Sequence, residues 1–464
     1  MKKDYASRLL FLSGLAVGAL LIGVTLAKGA GEAALPPCAQ KSEAERTAWY
    51  RAAKFGMFIH WGAYSVASVE ASWPIMEPEA QWNISEPEYV SLFKRFNPTK
   101  YDPKAWVELA KEAGQRYMVF TTKHHDGFCM FDSALTDYKI TSTPYGKDVT
   151  AMLAEVAQEA GMPLGFYYSP PDMHHPGYRD TSKFVRDTWR GDPARAEWAT
   201  YLDYMEGQLR ELLTKYGPVA LIWFDGLGHQ EKYKGEQVVN LVHQLQPSTL
   251  VNNRIGVPGD FATPEQFIPD RIPTKSAANK LQGVTKTSES TPPSVPAPGD
   301  FELWETCMTI NNTWAYDQQD RRFKSVKELI QDLVKVASKG GNFLLDVGPT
   351  PEGTIQPEFV ERLQAIGKWM KANGDSIYGT TYGPLQNLRF GATTARDKTV
   401  YLHVFDWPSK PQLVLPGLAA RVARITVLAT GEKVQFQQEK GQLIIGLPPR
   451  APDPNDSVLQ IDTR

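Results

Sequence analysis

Short apolar runs separated by amphipathic stretches fill the chain from about residue 50 to residue 347, and this pattern constrains the fold most. The runs KFGMFIHW, RYMVFTT, LGFYYS, VALIWFD, TLVNN and NFLLDV are almost continuously apolar, as expected of strands buried on both faces of a parallel sheet. Stretches between them, such as PKAWVELAKEAG and DVTAMLAEVAQEAG, have helical periodicity and end in glycine. Repeated strand–helix units predict a (β/α)8-type barrel. A doubly wound sheet is the alternative, but no glycine-rich phosphate loop follows any of these runs.

The pattern changes after Tyr382. The runs TVYLHVF, ARITVLAT, QLIIGL and SVLQID are short, several of them alternate, and Gly, Pro and Asp separate them, which predicts an all-β sandwich. We therefore expect a barrel domain over residues 45–380 and a C-terminal sandwich domain over residues 384–464. Within the barrel, 14 of the 27 residues of Thr274–Asp300 are Ser, Thr, Pro or Gly, which predicts a mobile loop rather than a linker between domains.

The N-terminus has the composition of an export segment. Lys2 and Lys3 precede the apolar run Leu9–Ala27, and small and polar residues follow it. This arrangement predicts a signal peptide and spacer over residues 1–35, and hence a bacterial protein that is periplasmic or secreted. An uncleaved signal anchor is the alternative, because the run is long enough to span a membrane.

Cleavage gives the first testable prediction. The apolar run ends in Thr-Leu-Ala, which resembles a cleavage site, so we expect the mature chain to start between Lys28 and Pro37. N-terminal sequencing of the exported protein measures this directly. A chain that begins at Met1 would support the anchor instead.

Charge and cysteine content exclude several classes of partner. The 50 Lys and Arg against 52 Asp and Glu leave a net charge of −2, whereas nucleic acids and anionic membrane surfaces require a basic excess. We therefore expect no nucleic-acid partner and no membrane contact beyond the export segment. Three widely spaced cysteines exclude a cysteine zinc cluster or a disulfide scaffold, and we expect Cys129 and Cys307 to be small buried residues. The aromatic content of 11% fits a carbohydrate site or simply a larger aromatic core.

Polar and aromatic residues follow five of the predicted strands, at the end where barrel active sites lie. They are His60, His124, His125, Tyr167, Tyr168, Trp223, Asp225 and Arg254. Together they predict a polar, aromatic-lined pocket of the kind that binds a monosaccharide. Asp225 precedes Gly226, so a turn-forming aspartate is its alternative role. A metal pair is the alternative for His124 and His125, but neighbours on a strand point to opposite faces.

At these residues the chain resembles the α-L-fucosidases of glycoside hydrolase family 29. The motifs that carry the resemblance span about Ala48 to the end of the chain: FGMFIHWG, TTKHHDGF, FYYS, WFDG, TPEQFIP, WETC, TWAY and GGNFLLDVGPTPEG. The resemblance implies a barrel followed by a β-sandwich. It also implies exo-acting, retaining hydrolysis of terminal α-L-fucosyl residues of glycans or glycoconjugates through a covalent fucosyl-enzyme, without a metal or cofactor.

The resemblance assigns roles to individual residues. Asp225 matches the nucleophile, and Trp314 resembles the aromatic that shields the C5 methyl group of the sugar. The positions that match the surroundings of the sugar ring are His60, His124, His125, Tyr168, Trp223 and Arg254. Trp73 is retained, but Ser72 stands before it where many relatives have glutamate, which leaves the preferred linkage open.

Two glutamates compete for the role of acid/base. Glu265 lies 11 residues after Arg254 in GDFATPEQFIP and resembles the loop that carries the acid/base in bacterial members. Glu305 of WETC ends an apolar segment typical of the barrel wall, where we expect a buried structural glutamate bound to backbone or arginine. Glu265 is therefore favoured, and Glu305 is its alternative.

Two other functions are compatible with these residues. A glycosidase for α-L-galactosides would act on a sugar that differs from fucose by one hydroxyl, which a methyl-sized pocket discriminates only weakly. A catalytically silent carbohydrate-binding protein would keep the aromatic pocket and lose a carboxylate. Asp225 and a candidate glutamate are both present, which favours an enzyme.

Overall fold

The structure, a computed structural model, describes residues 41–76, 82, 84–182, 188–276, 282–283, 296–297, 299–416, 418–439 and 441–464. The predicted signal peptide and most of the predicted mobile loop Thr274–Asp300 lie outside the described residues. Within the described part of the chain, no helix is both long and apolar enough to cross a membrane.

A parallel sheet of seven strands forms the first part of the molecule. Its strands are buried along their whole length, and the predicted apolar runs supply six of them. The strands up to residue 347 are β1 Phe55–Ile59, β2 Met118–Lys123, β3 Leu164–Tyr168, β4 Leu221–Phe224, β5 Leu250–Val251, β6 Thr263–Pro264, β7 Gln282–Gly283, β8 Glu305–Thr309 and β9 Asn342–Val347. The order in the sheet is β5-β4-β3-β2-β1-β9-β8. All carboxyl ends therefore lie at one edge, which is the edge predicted to carry the site.

The sheet has seven strands rather than the eight of the predicted barrel. Between its two edge strands lies the segment 261–266, which makes isolated pairs instead of a continuous ladder. On one side the Asn253 N–H donates to the Phe261 carbonyl at 3.1 Å, and on the other the Gln266 N–H donates to the Cys307 carbonyl at 2.9 Å. The segment 261–266, whose sequence is not a continuous apolar run, thus lies where an eighth strand would lie. The curled parallel sheet is confirmed, and an eighth strand is not.

Helices connect the parallel strands. The helices are α1 Glu43–Ala53, α2 Trp73–Met76, α3 Glu86–Ser91, α4 Pro103–Glu112, α5 Val149–Glu159, α6 Trp198–Lys215, α7 Gly235–Leu245, α8 Val326–Ala337 and α9 Pro357–Asn373. The predicted helices correspond to α4 and α5. Asp102 begins α4 by accepting the N–H groups of Lys104 and Ala105 at 3.0 and 3.1 Å, which satisfies donors that have no partner within the helix. Gly114 follows α4 with φ +84°, a conformation that favours glycine.

Antiparallel sheets form the C-terminal part, as the alternating runs predict. The strands are β10 Thr381–Tyr382, β11 Gly391–Arg396, β12 Thr399–Val404, β13 Gln412–Pro416, β14 Val422–Val427, β15 Phe436–Glu439, β16 Gln442–Gly446 and β17 Ser457–Thr463. They make one sheet in the order β10-β11-β12-β17-β14 and another in the order β13-β16-β15. Leu402, Leu443 and Leu459 are fully buried in the apolar core that these strands share.

A buried histidine–carboxylate pair lies where the C-terminal strands meet α9. His403 Nδ1 lies 2.7 Å from Asp456 Oδ2, and neither side chain is exposed. The backbone carbonyl of Asp456 accepts the indole N–H of Trp369 on α9 at 2.9 Å. The same aspartate therefore joins the C-terminal strands to helix α9.

Removal of this carboxylate is expected to destabilise the protein strongly. Asp456→Ala leaves a buried ring nitrogen of His403 without its partner, so the free energy of unfolding should fall by roughly 1–3 kcal/mol. Urea denaturation measures the change. Asp406→Ala is the control, because its pair with Lys327 is exposed (77% and 45%) and should contribute about 1 kcal/mol or less. Equal losses in the two variants would contradict the prediction.

Candidate active site

Asp225 lies directly after β4 and is held by three side chains from neighbouring strand ends. Its Oδ1 accepts a hydrogen bond from Nη1 of Arg254 at 2.8 Å. Its Oδ2 accepts the hydroxyl of Tyr167 at 2.8 Å and lies 3.3 Å from Nε2 of His125. A Cβ at the next residue, Gly226, would overlap the carbonyl oxygen of Arg254. Glycine here lets the ends of β4 and β5 approach, so the aspartate and the arginine meet.

These contacts keep Asp225 ionised. Burial by itself would raise the pKa of Asp225, but the Arg254 guanidinium and the hydrogen bonds from His125 and Tyr167 hold it well below its usual range. The side chain nevertheless remains 14% exposed, so a ligand in the pocket can reach it. The arrangement is that of a carboxylate fixed in place and able to act as a nucleophile.

Arg254 connects Asp225 to the second predicted carboxylate. Its Nη2 lies 2.8 Å from Oε2 of Glu265, while Nε donates to Thr263 Oγ1 at 2.8 Å. The guanidinium lies over the ring of Trp223, 4.6 Å from its centroid. Arg254 is only 3% exposed, whereas Glu265 is 21% exposed. A buried cation thus positions two carboxylates that both remain open to the pocket.

Glu305, the alternative acid/base, is fully buried behind the site. Its Oε1 accepts the indole N–H of Trp223 at 3.0 Å, and its Oε2 accepts the hydroxyls of Tyr50, at 2.7 Å, and Tyr117. The expected burial is observed, but the partners are tyrosine and tryptophan side chains rather than backbone or arginine. Burial raises the pKa of Glu305 to about 7, although the three donors oppose the rise.

Glu305 should therefore make stability depend on pH. Its pKa is raised from 4.5 to about 7, so folding favours the protonated form. The resulting stabilisation, about 3 kcal/mol, is complete below about pH 4.5 and is lost as the pH rises through about 7. The free energy of unfolding of the wild type should fall by this amount relative to Glu305→Gln between about pH 4 and pH 8. Urea denaturation across this range tests it, with the exposed Glu155→Gln as control. Parallel curves for wild type and Glu305→Gln would contradict it.

Three histidines form one wall of the pocket. His60 follows β1, and its Nδ1 lies 2.7 Å from Oδ1 of Asp346 on β9. The rings of His124 and His125 have centroids 4.3 Å apart, and the His124 ring stacks on Tyr167 at 5.4 Å. Both histidines reach the same pocket because β2 ends at Lys123, so the strand alternation that we expected to separate them no longer applies.

An aromatic residue and a buried carboxylate lie beside His60. The ring of Trp314 is 5.1 Å from the His60 ring, and the Trp314 backbone N–H donates to Oε1 of Glu70 at 2.9 Å. Burial raises the pKa of Glu70 to about 7. Trp73, the first residue of α2, is half-buried and follows Ser72, whose Oγ lies 2.6 Å from Nδ1 of His124.

The structure corrects one predicted contact and qualifies another. Tyr168 lies on the outer face of β3, where its hydroxyl donates to Gln208 of α6 at 2.8 Å, because neighbouring strand residues alternate. We expected Tyr168 to lie around the sugar ring, but Tyr167 is the tyrosine of this strand that contacts Asp225. Trp223 is 1% exposed, so it lies beneath Arg254 as a support and does not form the pocket surface.

Two residues at the site were missed in the sequence. Asp346 is the only acidic residue in the apolar run NFLLDV, and Glu70 is the only one in the segment SVEASW, so an isolated charge in an apolar run was the available signal. Tyr167 was among the predicted residues, but the sequence did not distinguish its role from that of Tyr168. Cys129 and Cys307 are buried and unpaired, as predicted. Within the described residues, no group of three or more His, Cys, Asp or Glu is arranged to hold a metal ion.

Comparisons with known proteins agree on one family. The α-L-fucosidase family model matches residues 26–375, and the α-L-fucosidase C-terminal domain model matches residues 386–461. A curated α-L-fucosidase from Dictyostelium discoideum is 28% identical over 79% of this chain and 79% of its own length. A tissue α-L-fucosidase from Bos taurus is 27% identical over 87% and 86% of the two chains.

Solved structures give the same result. The α-L-fucosidase isoenzyme 1 from Paenibacillus thiaminolyticus has a TM-score of 0.79 and 36% identity, covering 91% of this chain and 99% of its own. A GH29 α-L-fucosidase from Bacteroides thetaiotaomicron, with a trapped covalent intermediate, has a TM-score of 0.76 and 27% identity over 90% and 96% of the two chains. The chain therefore belongs to the α-L-fucosidase family of glycoside hydrolases, GH29.

Proposed function

We propose that this protein is an exo-acting, retaining α-L-fucosidase in which Asp225 is the nucleophile and Glu265 the acid/base. The observation that carries the proposal is the single guanidinium of Arg254, which bonds both carboxylates at 2.8 Å. Retaining glycosidases need two carboxyl groups close together, about 5–5.5 Å apart, with one able to attack and the other able to transfer a proton. Contact with the same guanidinium and its 21% exposure support Glu265 in the second role, whereas Glu305 is fully buried with both oxygens already bonded.

In the first step Asp225 Oδ attacks the anomeric carbon while protonated Glu265 donates its proton to the departing glycosidic oxygen. The products are a covalent fucosyl ester and the free alcohol. In the second step Glu265, now a carboxylate, removes a proton from water, and the hydroxide displaces Asp225. Asp225 is ionised before the first step and Glu265 after it. Arg254 contacts both residues, so the ionised carboxylate has a positively charged partner at each stage.

The surrounding residues fit the sugar itself. His60 and His124 each have an Nε2 that can bond a hydroxyl group, while His125 faces Asp225. Trp314 offers an apolar face beside His60 for the ring and its methyl group. Trp73 lies at the start of α2, next to the Ser72 contact to His124. The substrate would be a terminal fucosyl residue of a glycan or glycoconjugate, as membership of the α-L-fucosidase family supports.

Three broader proposals accompany this function. The basic and apolar N-terminal segment supports export from a bacterial cell, to the periplasm or medium, after removal of residues 1–35. The isolated pairs of segment 261–266 support a barrel that closes through this segment. The domain limits 45–380 and 384–464 are supported by the change from parallel to antiparallel strands near residue 381.

Hydrolysis of a panel of aryl glycosides tests the function. The enzyme should cleave an aryl α-L-fucoside, and NMR during the reaction should show α-L-fucose forming before mutarotation. Preference for the α-L-galactoside would identify the related glycosidase. Absence of hydrolysis with retained fucose binding would identify a silent binding protein, and β-L-fucose as first product would exclude retention.

A further inference from the structure

Two adjacent histidines of the pocket each place Nδ1 against the hydroxyl of a buried serine. Nδ1 of His124 lies 2.6 Å from Oγ of Ser72, and Nδ1 of His125 lies 2.5 Å from Oγ of Ser169. Both serines are completely buried. A hydroxyl has one proton to donate, so the second partner of each serine decides which atom of the pair is the donor.

The second partners differ. Ser169 Oγ donates to the carbonyl of Pro171 at 2.8 Å, which uses its proton, so it must accept one from Nδ1–H of His125. Ser72 Oγ instead accepts the backbone N–H of Asp126 at 2.9 Å, and a backbone amide can only donate. The proton of Ser72 is therefore left for Nδ1 of His124.

The reverse assignment is unfavourable at Ser72. If His124 donated from Nδ1, the Ser72 hydroxyl proton would have no acceptor, since the described residues give Ser72 Oγ no polar contact besides His124 and Asp126. An unsatisfied donor in a fully buried serine is costly. The two histidines thus have opposite polarity at Nδ1 although they are neighbours in sequence.

We propose that Ser72 is a positioning residue that holds His124 in the tautomer protonated at Nε2, so that His124 donates a hydrogen bond to a hydroxyl group of the substrate. Burial and the nearby His125 and His60 lower the pKa of His124 well below its usual value, so the ring is neutral and carries a single proton. The identification of the hydroxyl as that of a sugar rests on the proposed function.

His60 supplies the complementary group. Its Nδ1 lies against a carboxylate oxygen of Asp346 at 2.7 Å. A neutral ring in this place has its proton on Nδ1 and an accepting Nε2. The two rings are 5.6 Å apart. Within the described residues, Nε2 of His60 and Nε2 of His124 have no hydrogen-bond partner. Neither atom is fully buried, so both can contact a ligand. One acceptor and one donor side by side match a single hydroxyl, which gives its proton to His60 and accepts one from His124.

Side-chain NMR tests the tautomer without reference to activity. The whole chain is labelled with ¹⁵N-histidine, and long-range ¹H–¹⁵N spectra are assigned with His124→Gln and His125→Gln. The expected spectrum has a pyridine-like Nδ1 and a protonated Nε2 for His124, and a protonated Nδ1 for His125. A protonated Nδ1 on His124 in the wild type would overturn the proposal, even if the enzyme were fully active.

Kinetics test the consequence for substrate. Ser72→Ala should raise KM for an aryl fucoside by roughly tenfold, equivalent to one hydrogen bond, with a smaller change in kcat, and Ser72→Thr should restore it. Monodeoxyfucosides, each lacking one hydroxyl group, identify the bonded hydroxyl. The compound that lacks the hydroxyl bonded by His124 should have the same KM with Ser72→Ala as with the wild type. Ser376→Ala, which also removes a buried hydroxyl, is the matched control and should behave as wild type.

The outcomes separate the two levels of the proposal. Wild-type KM and an unchanged His124 spectrum in Ser72→Ala would refute the role of Ser72. If Ser72→Ala does not fold, the wild-type spectrum and the Ser72→Thr variant still test the proposal. An altered His124 tautomer or an altered KM in Ser72→Thr would contradict it. A wild type that hydrolyses no aryl fucoside refutes the proposed function, whereas the spectrum still reports the tautomer.

Discussion

Asp225→Ala is expected to lower kcat/KM for an aryl α-L-fucoside by roughly 10⁴-fold or more, because loss of a covalent nucleophile removes the reaction path itself. The carboxylate makes three contacts at the strand ends and is ionised, as an attacking group must be. Steady-state kinetics with the purified variant measure the loss. Circular dichroism shows whether the fold is retained.

Added azide gives this variant a distinctive product. The small anion can enter the space of the missing carboxylate and attack the anomeric carbon from that face, which yields the β-L-fucosyl azide of inverted configuration. Asp203→Ala, which removes an exposed carboxylate of α6, should have wild-type activity. More than about a hundredth of the wild-type rate in Asp225→Ala would exclude its role as nucleophile.

Glu265→Ala is expected to separate substrates according to their leaving groups. A general acid matters most when the leaving group is poor, so hydrolysis of fucosylated disaccharides should fall by roughly 10²–10⁴-fold, while an aryl fucoside with a good leaving group still forms the intermediate. Azide should then accelerate turnover and give the α-L-fucosyl azide of retained configuration. Rates for the two substrate types, with NMR of the azide product, measure this.

Glu305→Ala is the matched variant, since it removes the other candidate glutamate. It leaves two tyrosine hydroxyls and the Trp223 indole N–H without their acceptor, so stability should fall by several kcal/mol, about 1–3 for each buried donor. Activity should fall alike for all substrates, without an effect of azide. If Glu305→Ala instead shows the dependence on leaving group and the rescue by azide, and Glu265→Ala the uniform loss, the acid/base role belongs to Glu305. Absence of azide rescue in both variants would contradict the retaining mechanism.

Much of the fold was predictable because its strands have one kind of environment. A strand buried on both faces needs a continuous apolar run, and six such runs in the sequence are strands of the parallel sheet. The segment 261–266 was not predictable in this way, because it makes isolated pairs and contains a proline and a glutamate. The strand β8 was equally difficult, as its first residue is the buried Glu305, whose polarity is satisfied only by residues far away in sequence.

The sequence predicted which strand ends carry the site, but not which side chains at those ends point into it. The end of β3 offered Tyr167 and Tyr168, and only the pleat of the folded strand decides which of them meets Asp225. His124 and His125 show the opposite case, because they follow the strand and escape its alternation. Support from Glu70, Asp346 and Glu305 depends on contacts across more than 75 residues of sequence, which local patterns do not encode.

The bond from Trp369 to the Asp456 carbonyl also bears on how the enzyme can be made smaller. The C-terminal strands invite deletion in such an effort, because Asp225 and its partners lie at the ends of the parallel strands. Cutting the chain before β11 would, however, remove the acceptor of an indole that is buried on α9 and expose that helix to water and to aggregation. A compact catalyst should therefore keep the C-terminal sheets in place.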